Sequence, residues 1–174
     1  RRPCGSSRRW RGGGSWRAFV GGGLLAKSLG RSPGALGGAL FHAVYQGATA
    51  VDGCTASAGT LQTRTRNTSL TNERGASLAS NQITLDAGDY LFVALVSCYG
   101  SQYDRLRLYS VTDAAMISSG NCEVSAVQGS MFIRDRFALT AEKVIELQHF
   151  AYSSTAGAAG MGFGHFSDGT VERH

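Results

Sequence analysis

Four histidines, His42, His149, His165 and His174, are the side chains in this 174-residue chain best suited to proton transfer or metal ligation. His149 alternates in phase with Ile145 and Leu147, which places it in a core or a subunit interface rather than in a reaction cleft. His165 lies in a glycine-rich run and His174 is the last residue. The acids offer no better pair. Glu142 and Glu146 flank one strand end and Asp86 and Asp89 frame a turn, whereas glycoside hydrolysis needs two carboxylates facing each other across a cleft. No Gly-x-Ser-x-Gly elbow occurs, and the triple glycines lack the Lys-Ser/Thr that completes a phosphate cradle. Cys4, Cys54, Cys98 and Cys122 have no zinc-like spacing and read as mostly unbridged thiols, with Cys98 and Cys122 the one pair to check. The expectation is therefore no catalytic residue, no metal, no cofactor and no enzymatic activity.

Binding chemistry is better represented. Tyr99, Gln102, Tyr103 and Asp104 fall in a loop between two clear strands. An aromatic face beside amide and carboxylate groups suits a sugar ring and its hydroxyls; the same tyrosines could instead pack on another subunit. Arg64 with Arg66, Arg105 with Arg107 and Arg134 with Arg136 form three i, i+2 pairs on strand faces. They read either as solvated outer faces, paired with Asp104, Asp135 and Glu146 across strands, or as a platform for acidic or sulfated glycans.

The elements that position these groups are strands. Residues 82–111 read as strand, turn, strand, loop, strand, with a hairpin about Asp86-Ala87-Gly88-Asp89. The strand after that turn is apolar on both faces: Tyr90, Phe92, Ala94 and Val96 point one way, Leu91, Val93 and Leu95 the other. An antiparallel strand usually keeps one face wet, so two apolar faces call for a second cover, which a neighbouring subunit would supply. Further strands are expected over residues 40–46, 61–67, 78–85, 105–111, 116–124, 131–139, 143–152 and from 161. Residues 141–150 are a passable helix by propensity, but their apolar positions hold no 3.6-residue stripe.

Charge divides the chain. Residues 1–40 carry eight Arg or Lys and no acid, whereas the rest carries nine bases and twelve acids. The overall +5 thus belongs to a basic leader, and a nucleic-acid interface on the folded part is not expected. Eleven of the 24 glycines also lie in residues 1–40, too irregularly spaced for collagen. The leader reads as an irregular Gly/Arg-rich segment over residues 1–38, followed by one domain over 39–174. No apolar run is long enough to cross a bilayer, and Val20 to Leu29 is too broken by glycine for a signal peptide.

Residues 61–68, 78–90 and 105–113, then Glu146-Leu-Gln-His149 and Gly162-Phe-Gly164, occur in an order that resembles one group of proteins. These are the trimeric jelly-roll modules of tail-fibre, head-fibre and other accessory virion proteins of bacteriophages and prophages. Their architecture is similar to the globular heads of the complement and tumour-necrosis-factor superfamily. The resemblance covers roughly residues 41–174. It departs at Leu61, where relatives often carry an aromatic residue, and after Gly164, where the closing strand is expected to be short or missing. The resemblance implies an all-β antiparallel jelly-roll sandwich that forms a homotrimer within a virion, with exposed loops meeting host polysaccharide. A secreted non-viral adhesin of the same superfold and a glycan-degrading module are the alternatives. Tyr90, Leu91, Phe92, Val93 and His149 are then expected at the subunit interface, and Trp10, Trp16, Arg8, Arg9 and Arg11 are expected to anchor the chain to other virion proteins.

Overall fold

Residues 24–28, 38–47, 53, 55–125, 127–153, 161 and 172–173 are described by the computed structural model of the chain. Among them there is no α-helix, and the strands pair antiparallel throughout. The first sheet comprises β1 (Leu24–Ser28), β2 (Leu40–Val44), β5 (Thr68–Asn72), β8 (Gly88–Tyr99) and β11 (Gln128–Leu139), in the order β11-β8-β1-β2-β5. The second comprises β6 (Ser77–Ala79), β7 (Gln82–Leu85), β9 (Gln102–Ser110), β10 (Ala115–Ser125) and β12 (Lys143–Ala151), in the order β10-β9-β12-β7-β6. β4 (Leu61–Thr63) pairs with β12 beyond the end of β7. β3 (Gln46–Gly47) and β13 (Glu172–Arg173) make a separate two-stranded ribbon.

The sheets face each other across one apolar core. β8 contributes Tyr90, Phe92, Ala94, Val96 and Cys98, none more than 1% exposed. Phe41 and Ala43 of β2 and Met131 and Ile133 of β11 join them, and Ile83, Leu85, Leu106, Leu108, Ile145 and Leu147 close the core from the other sheet. Phe137 of β11 stacks on Tyr90 at 5.6 Å between ring centroids. Full burial of one such large apolar side chain stabilises by about 1.5–3 kcal/mol, so this single row is a large share of what holds the sandwich closed.

Several expectations change here. β7 and β8 are not a hairpin, because they lie in different sheets; Asp86 and Ala87 form a corner that carries the chain across the sandwich. The Tyr90 hydroxyl holds that corner, donating to the Asp86 carbonyl at 2.7 Å and accepting from Arg74 at 3.2 Å. The hairpin lies earlier, between β6 and β7, where Ser80 and Asn81 both take positive φ. Two consecutive residues of that kind make the two-residue turn whose twist matches its strands. Residues 99–104 are not a loop, for β8 and β9 run to within a two-residue Gly100-Ser101 turn. Residues 143–151 are strand, which excludes the helix. β1 falls inside the segment read as leader, yet its backbone pairs with β2 on one side and β8 on the other. Cys98 is buried, Cys122 is exposed, and no disulfide joins them. Cys4, Cys54, His165, His174 and Gly162-Phe-Gly164 lie outside the described residues.

At one margin the sheets touch through backbone. Gly120 of β10 sits where a Cβ would meet the Phe132 carbonyl oxygen and stand 2.8 Å from Cγ1 of Ile133, and the Asn121 side chain accepts from the Phe132 amide at 2.7 Å. Gly120→Ala should therefore destabilise the fold by about 1–3 kcal/mol through overpacking, measured as a lower urea midpoint with an unchanged slope.

Candidate functional site

Strands β9 and β12 are central in the second sheet, and their alternation sorts side chains onto two faces. Leu106, Leu108, Ile145 and Leu147 go into the core, together with the polar Asp104 and His149. Tyr103, Arg105, Arg107 and Tyr109 of β9 face outward beside Phe150, Gln148 and Glu146 of β12.

On the outer face Arg105 lies opposite Phe150, and Phe150 lies opposite Leu61 of β4. With Leu106, Arg107 and Met116 these residues line a groove of about 390 Å³. Arg107 is fixed in place. Its Nε donates to Oε1 of Gln148 at 2.5 Å, and its guanidinium lies over the Tyr109 ring at 4.8 Å. Gln148 in turn donates to Glu146, which also accepts from Gln82 at 2.9 Å. The two exposed tyrosines, Tyr103 and Tyr152, meet edge to face at 5.6 Å. The face is thus a flat array of aromatic, amide and guanidinium groups with an apolar groove beside it.

The inner face of the same strands holds a buried polar cluster. Ser101 donates to Oδ2 of Asp104 at 2.5 Å, and Oδ1 of Asp104 lies 2.5 Å from Nε2 of His149. Nδ1 of His149 faces Nη1 of Arg64 at 3.4 Å, and Nη2 of Arg64 donates to the Met161 carbonyl at 2.9 Å. A guanidinium can only donate, so Nδ1 must be the unprotonated acceptor and Nε2 the N–H that donates to Asp104. His149 is therefore neutral. Burial pushes its pKa below the usual 6.5, and Arg64 opposes a second positive charge, which together outweigh the pull of the Asp104 carboxylate. Ser101, Asp104 and His149 do not constitute a hydrolytic triad. The serine donates to the acid rather than to the histidine, and all three are sealed from solvent.

Arg64 and Arg66 were expected on a charged outer face but are 2% and 3% exposed. The chain leaves the second sheet after Thr63 and crosses to β5 in the first, which turns both side chains inward. Arg66 bonds the Thr65 carbonyl through Nη1, while its Nε and Nη2 have no partner among the described residues. Desolvation, aided by Arg64, pushes its pKa down to about 9.

Of the sugar-contact residues expected from the sequence, Tyr103 is exposed beside Tyr152, Gln102 is exposed at the start of β9, and Tyr99 is half-buried at the end of β8. Asp104 is corrected: at 2% exposure and bonded to Ser101 and His149, it has no reach to a ligand. Tyr90, Phe92 and His149, expected at a subunit interface, are enclosed within the single chain; only Leu91 and Val93 of that set lie on the outer side of the first sheet. Trp10, Trp16, Arg8, Arg9 and Arg11 lie outside the described residues. Leu61, Met116 and Phe150 come together only through strand pairing; the alternation of Arg105 and Arg107 with Leu106 and Leu108 was their one visible signal.

Two consequences can be measured. Above pH 6.5 neutral His149 makes no pH-dependent demand on stability. As pH falls below 6.5 the unfolded chain binds a proton that the native state refuses, so stability drops by up to about 1.4 kcal/mol per pH unit. Urea denaturation between about pH 7.5 and 5.5 should show that fall, and His149→Gln should flatten it. Arg66→Met removes a buried charge that no described anion pairs and keeps the apolar stem, so it should stabilise by about 1–3 kcal/mol, read as a higher urea midpoint.

Compared with models of protein families, with curated proteins and with solved structures, the chain matches none.

Proposed function

We propose that this chain is a trimeric jelly-roll module of a bacteriophage virion, a head or tail fibre or decoration protein whose outer surface meets host glycan. The observation that carries the reading is the strand order. In an eight-stranded jelly roll the chain alternates between two four-stranded sheets through two Greek keys. The reading is supported by β11, β8 and β2 sharing one sheet while β10-β9-β12-β7 run in the other, the arrangement expected of seven of those eight strands taken in chain order. Between β8 and β2, where the eighth strand of a jelly roll would lie, the sheet has β1, which comes from the N-terminal side.

Trimer formation is supported by the outer side of the first sheet. Leu91 and Val93 are half-buried, and Leu95 and Phe132, paired across β8 and β11, are 38% and 53% exposed. A contiguous apolar strip of this kind marks an interaction surface. In a threefold assembly each copy would cover the strip of the next through a heterologous contact that closes into a ring. The platform on the second sheet would then face outward, where Tyr103, Tyr152 and the Gln102 amide can meet a sugar. The basic segment with Trp10 and Trp16 would dock on other virion proteins.

Native mass spectrometry at micromolar concentration should give three copies, and Leu95→Glu combined with Phe132→Glu should give monomers that keep the β-sheet circular-dichroism spectrum. A wild-type monomer would rule the assembly out. Capsid and tail genes adjoining the coding sequence are the expected neighbourhood of a virion component.

A further inference from the structure

From the groove on the outer face of the second sheet we infer that the glycan recognised is acidic, its carboxylate held between Arg105 and Arg107 while the ring lies against Phe150 and Leu61. The inference rests on the glycan-contact reading above and deepens it.

Charge selects the ligand. Among the described lining residues two are cations, Arg105 and Arg107, and none is an anion. No described carboxylate forms an ion pair with either guanidinium. The one acid nearby on this face, Glu146, is already engaged by Gln148 and Gln82. Arg107 is held by Gln148 and Tyr109 before any ligand arrives, so little side-chain freedom is lost on binding. A planar guanidinium offers paired donors that match the two oxygens of a carboxylate.

Shape and surroundings favour a saccharide over other polyanions. At about 390 Å³ the groove holds a small ligand, and its Phe150, Leu61 and Met116 walls suit the C–H face of a sugar ring. β9 and β12, which carry Arg105, Arg107 and Phe150, are internal strands with both edges paired here, so neither offers a backbone edge to an extended peptide. The part of the chain that carries the groove has more acids than bases, which opposes binding along a nucleic-acid backbone.

The test uses the intact chain on an array of oligogalacturonate and oligosialic acid, each beside its own methyl ester, with oligoglutamate and single-stranded DNA as competitors. At least one free acid should bind about tenfold more tightly than its ester, and added salt should weaken it. Arg105 is exposed, so Arg105→Ala should keep the fold and bring the acid down to the level of its ester. Equal binding of acid and ester, lost in Tyr103→Ala, would overturn the acidic specificity and leave the glycan-contact reading standing. Absence of binding to every sugar would overturn both. Competition by oligoglutamate or DNA as strong as by the free sugar would overturn the saccharide assignment.

Discussion

The inward row of β8 is the constraint on which the sandwich depends. Tyr90, Phe92, Ala94, Val96 and Cys98 are all but sealed from solvent, and the strands of both sheets find their places against them. β11 pairs along the full length of β8, and β1 pairs on its other side from residue 90 to 94. At its start, Tyr90 puts an aromatic ring into the core and a hydroxyl on the corner that delivers the chain from the opposite sheet. One side chain therefore sets both the register of the strand and the point where the sheets are joined. A shift of β8 by one residue would exchange its buried row for Leu91, Val93 and Leu95 and would strand the tyrosine hydroxyl away from the Asp86 carbonyl.

The second sheet separates two kinds of polar chemistry by the thickness of one strand layer. Inside, Asp104, His149, Ser101 and Arg64 satisfy one another in a cluster closed to water, which fixes how the 64–67 crossing packs beneath β12. Such a cluster confers little net stability compared with an apolar filling, but breaking one member leaves the others buried and unpaired. Outside, Arg107, Gln148, Glu146 and Gln82 form a ladder in which Gln148 and Glu146 are buried while Arg107 and Gln82 stay half-exposed. Strand alternation alone decides that His149 belongs to the first group and Gln148 to the second. Neighbours in sequence thus face opposite sides of the sheet, His149 into the core cluster and Gln148 into the outer ladder.

Much of this was legible in the residues. The all-β class, most strand positions, the two apolar rows of β8 and the opposed faces of β11 follow from period-two alternation and turn chemistry, which are local properties of the chain; which row of β8 faces the core does not. The turn after residue 139 and the core placement of Ile145 and Leu147 are of the same kind.

What a stretch of sequence cannot carry is which sheet a strand joins. The Asp-Ala-Gly-Asp turn looks like a hairpin because a corner and a hairpin use the same residue types; only the partners of β7 and β8, remote in sequence, separate them. Arg64 and Arg66 alternate as an outward charged row would, and they turn inward because the chain crosses the sandwich at that point. The groove has the same origin, since Leu61, Arg105, Met116 and Phe150 belong to four strands whose adjacency is set by long-range pairing. Local periodicity fixed which residues alternate, whereas the tertiary structure decided what lies on either side of each alternation, because burial is a property of neighbours and the neighbours here are distant in the chain.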